Sequence, residues 1–253
     1  MFKKKLMTLV GVLMMGFGSN TALAVPVDVE LQLLVDVSGS IDASEFTLQM
    51  NGYRDAFQSA AVQNAVANGV LGTIAVQLIQ WSGAAEQFVS LGWTQLTTAA
   101  EMNAFGNAIA ATARIFAGST APGSAITFGL PEFFGNGFEG TKKVMDVSGD
   151  GIQNSGTDTM IARDNALANG IDQINGLTIG DVPGLQAWYQ ANVVGGAGAF
   201  QMHATDFATF AGAVKTKLER DITGVPAPGA LGLMGIGLVM MGMAATRRRR
   251  QLP

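Results

Sequence analysis

"LLVDVSGSIDASEF" occupies residues 33–46, and "VMDVSGDGIQNSG" occupies residues 144–156. Both place Asp-Val-Ser-Gly behind a short apolar run. Letter for letter, the echo aligns Asp36 with Asp146, and Asp150 follows at the next turn. An apolar run that stops at Asp, Ser and Gly is a buried strand ending in a turn. The first such run, Val29 to Val37, is followed by helical spacing over residues 41–67 (Phe46, Met50, Tyr53, Phe57, Ala60), closed by Asn68-Gly69. Ser44 and Glu45 mark the helix start, and Asp42 reads as its initiator rather than as a ligand.

The alternation continues outward. Strands are predicted at 72–81 and 87–93, paired as a hairpin across Ser82-Gly83-Ala84, and at 142–148, 174–179 and 200–203. Helices are predicted at 98–116, 124–134, 157–169, 183–193 and 207–222, the last capped by Asp206. Strands separated by helices of this length predict an α/β fold: a doubly wound, Rossmann-like, mainly parallel central sheet flanked by helices. Gly195-Gly196-Ala197-Gly198 has no Lys-Ser/Thr behind it and reads as a turn, not a phosphate loop.

The two ends have a different character. Lys3, Lys4 and Lys5 precede an apolar stretch, Leu6 to Phe17, and Ala22-Leu23-Ala24 has the small-x-small form of a cleavage site. Residues 1–24 read as a secretory signal peptide, with the mature chain starting at Val25. At the other end, Val225-Pro226-Ala227-Pro228 breaks the last helix. Residues 229–245 carry no charge, and Arg247 to Arg250 follow. That is a short membrane helix with its basic flank in the cytoplasm, so residues 224–253 form a sorting or anchoring segment.

The body, residues 25–223, holds all 19 acidic residues and 8 basic ones, a formal charge of −11. Such a surface repels phosphate backbones, which argues against a nucleic-acid partner. The chain has no cysteine and one histidine, His203, so a zinc cluster of thiolates and imidazoles is ruled out and His203 reads as structural. A metal here would be a hard cation held by oxygen: Mg²⁺, with Ca²⁺ or Mn²⁺ as alternatives.

Open α/β sheets bind ligands beyond the carboxyl ends of their strands, and both quoted turns lie there. Asp36, Ser38 and Ser40 sit at i, i+2 and i+4, so a carboxylate and two hydroxyls can project to one side. Thr120, in the loop Ala117–Gly123, adds a hydroxyl, and Asp150 adds a second carboxylate. The order on the chain, with each group at a strand end or before a helix, gives an all-oxygen nest suited to Mg²⁺. Asp-x-Ser-x-Ser alone also makes an ordinary turn. Asp146 reads as a satisfied polar group within its strand.

These residues closely resemble the metal-ion-dependent adhesion site of von Willebrand factor type A domains. The resemblance covers residues 27–222 or thereabouts. "INGLTIG", "LQAWYQANVVGGAGAF" and "DFATFAGAVKTKLERDI" resemble a bacterial branch of that superfamily with no assigned function. The resemblance implies that Ser38 and Ser40 ligate the metal directly and that Thr120 is a direct or switching ligand. It gives Asp36 and Asp150 direct or water-mediated roles, and it implies a partner protein that supplies an acidic residue. The tail resembles a PEP-CTERM sorting signal, which implies processing by an exosortase-type membrane protease. Ala227 stands where that family usually has glutamate.

Three functional classes follow. The first is a secreted or cell-surface, divalent-cation-dependent protein-binding module in an extracellular matrix or biofilm, without catalysis. The second is a structural matrix protein whose metal site is not essential. The third is a Mg²⁺-dependent phosphotransferase. An Asp at a first strand end with Mg²⁺ resembles haloacid-dehalogenase-like phosphotransferases, a resemblance that implies a second aspartate two residues on as general acid, and Ser38 stands there.

Overall fold

The computed structural model describes residues 23–224. The predicted signal peptide and the predicted sorting and membrane segment lie outside the described residues, apart from Leu23, Ala24 and Gly224 at their inner edges. Among the described residues no helix is long and apolar enough to cross a membrane.

In chain order the elements begin with β1 (Val25–Val27), β2 (Val29–Asp36), α1 (Ala43–Gln58), α2 (Ala60–Ala67), β3 (Ile74–Trp81) and β4 (Gln87–Leu96). Then come α3 (Ala99–Ala110), α4 (Pro122–Gly129) with a 3-10 turn over Leu130–Phe133, β5 (Phe138–Gly140), β6 (Lys143–Gly149) and α5 (Thr159–Ala168). The chain closes with β7 (Gln173–Ile179), α6 (Leu185–Asn192), β8 (Gly195–Gly196), β9 (Gln201–Ala204) and α7 (Phe210–Thr223).

The main sheet has the order β4-β3-β2-β6-β7, with β8 and β9 both pairing β7. The β2–β3, β2–β6, β6–β7 and β7–β9 pairs are parallel, whereas β3–β4 is antiparallel. Every residue of β2 is buried, Glu30 and Gln32 included, as expected for a strand covered on both faces. One face packs Leu31, Leu33, Val76 and Leu177 against Tyr53, Phe57, Phe105 and Phe210, from α1, α3 and α7. The other packs Leu34, Ile79, Met145 and Val147 against Ile126, Ala162 and Tyr189, from α4, α5 and α6. This is the mainly parallel sheet flanked by helices that the sequence predicts.

Several boundaries differ from the sequence reading, each for a local reason. The helix predicted over 41–67 breaks at Ser59, whose backbone is extended (φ −74°, ψ 142°) and whose hydroxyl accepts the Val62 N–H to cap α2. The helix predicted to reach 116 stops at Ala110. Beyond it, the Gln80 side chain takes over the backbone bonds, donating to the Ala113 carbonyl and accepting from the Ile115 N–H. Asp206 does not cap α7 directly. It accepts the N–H of Thr209, the residue that precedes the helix. Asp42 does cap α1, in a reciprocal box with Glu45. The parallel ribbon of β1 with β5 has no counterpart in the sequence reading.

Asp146 points into the α1/α7 face, not toward the carboxyl end of the sheet. Its Oδ1 lies 2.7 Å from Lys217 Nζ as an ion pair, and Lys217 Nζ also donates to Asp221 Oδ2 at 3.0 Å. Asn175 donates to Asp221 Oδ1 at 2.7 Å. Lys217, Asp146 and Asp221 are fully buried, so one cation serves two acids. Burial pushes the Asp146 carboxyl up, Lys217 opposes that, and Asp221 adds to it. The cluster ties α7 to β6 and β7. Replacing Lys217 with Met leaves two facing acids without a cation. The expected loss is about 3–5 kcal/mol in urea unfolding at neutral pH, with recovery when Asp146→Asn is added.

Candidate metal centre

The sheet order places β2 beside β6, with β3 on the far side of β2. The chain therefore winds in opposite directions from β2, and the crevice between the carboxyl ends of β2 and β6 is the switch point of the sheet. Asp36 ends β2, and Asp150 directly follows Gly149, the last residue of β6.

The turn after β2 is built by Asp36 itself, whose Oδ1 accepts the Ser38 N–H at 2.8 Å. That bond turns the backbone so that the hydroxyls of Ser38 and Ser40 stand 3.2 Å apart. Ser40 Oγ donates to Asp150 Oδ1 at 2.7 Å, joining the two turns. Gly39 N–H donates to the Gly118 carbonyl at 2.8 Å, and a Cβ at residue 39 would stand 3.0 Å from the Ala117 carbonyl oxygen. The loop carrying Thr120 is thereby held against the first turn. It is also tied to the third. Thr120 N–H donates to Asn154 Oδ1 at 2.9 Å, and Asn154 N–H returns a bond to the Thr120 carbonyl at 3.0 Å. The side chain of the buried Thr120 packs against Gly151, its hydroxyl and its methyl each 3.3 Å from where a Cβ at 151 would lie.

Asp36, Ser38, Ser40, Thr120 and Asp150 thus come from three loops knitted around one crevice. His203, read as structural, has its Nδ1 3.0 Å from the Thr178 hydroxyl on β7. Gly195 to Gly198 form the short strand β8 and a turn.

Two supporting residues are absent from the sequence reading. Arg114 donates to the Val37 carbonyl at 2.9 Å and to the Ser38 carbonyl at 2.6 Å, clamping the backbone of the first turn. It is the only basic residue between Arg54 and Lys142, which is the signal that marks it. Asn154 is the other, a polar residue four positions beyond Asp150.

The electrostatics of the crevice are unbalanced. Asp36 is fully buried, and its Oδ2 accepts no hydrogen bond. Burial, then the charge of Asp150, push its pKa up to about 7 against the lowering effect of the Ser38 bonds. Burial also raises Asp150, with the Ser40 bond opposing. Tyr189, whose buried hydroxyl likewise has no partner, is raised well above its usual value by burial and then by Asp36. A Cβ at Gly149 would stand 2.5 Å from Tyr189 Oη and 2.7 Å from Asp36 Oδ2, so glycine there lets both oxygens crowd the strand end. The Arg114 guanidinium is committed to backbone carbonyls.

Two carboxylates with an unspent oxygen, beside three hydroxyls, are a donor set that fits a hard divalent cation. Among the described residues no three His, Cys, Asp or Glu side chains gather into a metal cluster. The donors here are mostly hydroxyls.

A family model described as "Protein of unknown function (DUF1194)" matches residues 26–226. The chain belongs to the DUF1194 family. Its fold is that of von Willebrand factor type A proteins. Proximal thread matrix protein 1 from the mussel byssus aligns with a TM-score of 0.60 at 13% identity, over 79% of this chain and 48% of that one. The same mussel protein has been solved with a zinc-occupied MIDAS motif, and that form aligns with a TM-score of 0.57. The pilus adhesin SpaC from Lactobacillus rhamnosus GG aligns at 0.54 with 15% identity, over 80% of this chain and 31% of that one. A von Willebrand factor type A protein from Catenulispora acidiphila aligns at 0.53 with 16% identity, over 78% and 43%. The chain therefore spans half or less of the length of these structures. No curated protein matches it.

The raised carboxyls set a sign for pH. An acid that holds its proton more tightly when folded stabilises the fold at low pH and loses that contribution as pH rises through its folded value. In EDTA, stability is expected to fall between about pH 4 and pH 7, by at most about 1.4 kcal/mol per pH unit for each such group. Asp146 and Asp150 contribute with the same sign. Asp36→Asn removes the share of Asp36, so at pH 8 in EDTA the variant is expected to melt at or above the wild-type temperature while gaining nothing from added Mg²⁺. Thermal melts across pH check both parts.

Proposed function

We propose that this protein is a non-catalytic, divalent-cation-dependent binding module of the adhesion type, working outside the cell or at its surface. The observation that carries the reading is the run of side-chain bonds Ser38–Ser40–Asp150 beside Asp36, whose buried Oδ2 lacks a partner, with the Thr120 loop bonded to both turns. Ser38 and Ser40 are the direct ligands in this reading, Thr120 a direct or switching one, and Asp36 and Asp150 hold the charge balance. When bound, Mg²⁺, Ca²⁺ or Mn²⁺ supplies positive charge and a coordination position for a carboxylate of the partner protein.

The remaining residues fit that task. Asp36 fixes the first turn, Arg114 locks its carbonyls, and Asn154 holds the Thr120 loop, so the hydroxyls are oriented before a partner arrives. Pre-oriented donors spare a binding site the cost of ordering them. A body of charge −11 repels acidic partners except where a cation offsets it locally. The sole histidine is engaged with Thr178 on β7, so no imidazole stands at the crevice as a general base, which favours binding over catalysis.

Export fits the signal-like residues 1–24. The Pro226-Ala227-Pro228 motif, the uncharged 229–245 stretch and Arg247 to Arg250 fit a PEP-CTERM-like tail handled by an exosortase-type protease, before or during lasting anchorage in the inner membrane. The mussel matrix protein and the pilus adhesin that share the fold are in keeping with an extracellular matrix or surface setting.

The reading is tested with beads coated with residues 25–224, washed over glutamate-containing peptides and their glutamine counterparts. Retention on the glutamate surface is expected with Mg²⁺, and loss of at least tenfold with EDTA, with glutamine peptides or with Ser40→Ala. Retention indifferent to EDTA and to the glutamine exchange would contradict it. Separately, deleting residues 229–253 is expected to move the protein from the membrane fraction to the soluble one, read by fractionation and blotting.

A further inference from the structure

The end of the domain opposite the metal centre carries an unusual surface. The turn Asn68-Gly69-Val70-Leu71-Gly72, before β3, leaves Val70 97% and Leu71 45% exposed. The loop after the 3-10 turn leaves Phe134 57% exposed. Isolated exposed apolar residues are ordinary, but these loops are rigidly built. Asp28 Oδ1 accepts the Leu71 N–H at 2.9 Å, and its Oδ2 accepts the Thr73 N–H at 3.3 Å. In the other loop, Gly135 and Gly137 take positive φ, and Asn136 is held by Glu30 at 2.6 Å. The first turn lies beside the start of β2, and the second beside the start of β6.

The same pole is where the chain leaves the domain. A groove of about 350 Å³ is lined by Asp28, Val29, Val70, Lys142, Ile222 and Gly224. Between Gly224 and the uncharged 229–245 stretch stand only Val225, Pro226, Ala227 and Pro228. Fully extended, that connection reaches no more than about 18 Å. A tail inserted in a bilayer therefore keeps Gly224 within about 18 Å of the hydrocarbon edge, with Val70, Leu71 and Phe134 exposed on the same pole.

We propose that this pole is a lipid-contact face, with Val70-Leu71 and Phe134 seated in the interfacial region of the bilayer while the metal centre points away from it. Apolar side chains at loop tips gain by leaving water for the headgroup boundary. The proposal rests on the reading of residues 229–245 as membrane-inserted. It goes beyond that reading by fixing which way the binding crevice faces: away from the membrane that holds the tail.

The chain contains no cysteine, so one introduced thiol carries a unique label. Val70→Cys and, on the exposed start of α5 at the opposite pole, Ile161→Cys would each be labelled with nitrobenzoxadiazole. The full chain would then be reconstituted in vesicles of phosphatidylcholine and phosphatidylglycerol. The expected result is a blue shift and a several-fold rise in emission at 70, quenched by nitroxide lipids, with the label at 161 unchanged and quenched by aqueous iodide. Flotation with the vesicles but equal, water-like emission at 70 and 161 overturns the lipid-contact face and leaves the anchor reading standing. Failure to float overturns both. A concentration-dependent blue shift at 70 in residues 25–224 without lipid assigns the pole to self-contact and also overturns the proposal.

Discussion

The burial of Asp36 organises the functional end of this molecule. A carboxylate at the end of a fully buried strand is costly unless something positive or hydrogen-bonded meets it. One of its oxygens shapes the Ser38 turn, and the other is left without a partner. The nearest guanidinium is turned to backbone carbonyls, and the nearest carboxylate, Asp150, adds repulsion. The sheet places the strand end in the crevice at its switch point, where the proposed cation would offset that cost.

The opposite solution appears deeper in the fold. Asp146 and Asp221 are also buried acids, yet Lys217 stands between them within ion-pair distance of both. The contrast separates two uses of the same side chain. Where the chain supplies its own cation, the acid is part of the architecture and joins α7 to the sheet. Where it supplies none, the acid is left facing the crevice with an oxygen unpaired. The two acids at equivalent places in the repeated Asp-Val-Ser-Gly phrase, Asp36 and Asp146, fall on opposite sides of this division.

Much of this was legible in the sequence because buried parallel strands leave long apolar runs, and because turn residues mark their carboxyl ends. The five candidate residues could be proposed for the same reason: each stands at a strand end, in the turn beyond it or before a helix. The unread parts depend on contacts between distant residues. Nothing near Ser59 announces a helix break, since the break is a capping choice made by one hydroxyl. The early end of α3 depends on Gln80, a β3 residue, competing for its backbone. The β1–β5 ribbon joins short segments more than a hundred residues apart. Arg114 and Asn154 act through carbonyls and amides that carry no sequence signature.

The central claim is that Asp36, Ser38, Ser40, Thr120 and Asp150 form one divalent-cation site. The most direct measurement is titration of Mn²⁺ into residues 25–224, following the free-ion electron paramagnetic resonance signal, beside the Ser38→Ala/Ser40→Ala variant. The account expects one bound Mn²⁺ per chain, displaced by Mg²⁺, and no binding by a variant that keeps the wild-type circular dichroism. Full free-ion signal with the wild-type protein, or binding unchanged in the variant, would contradict it.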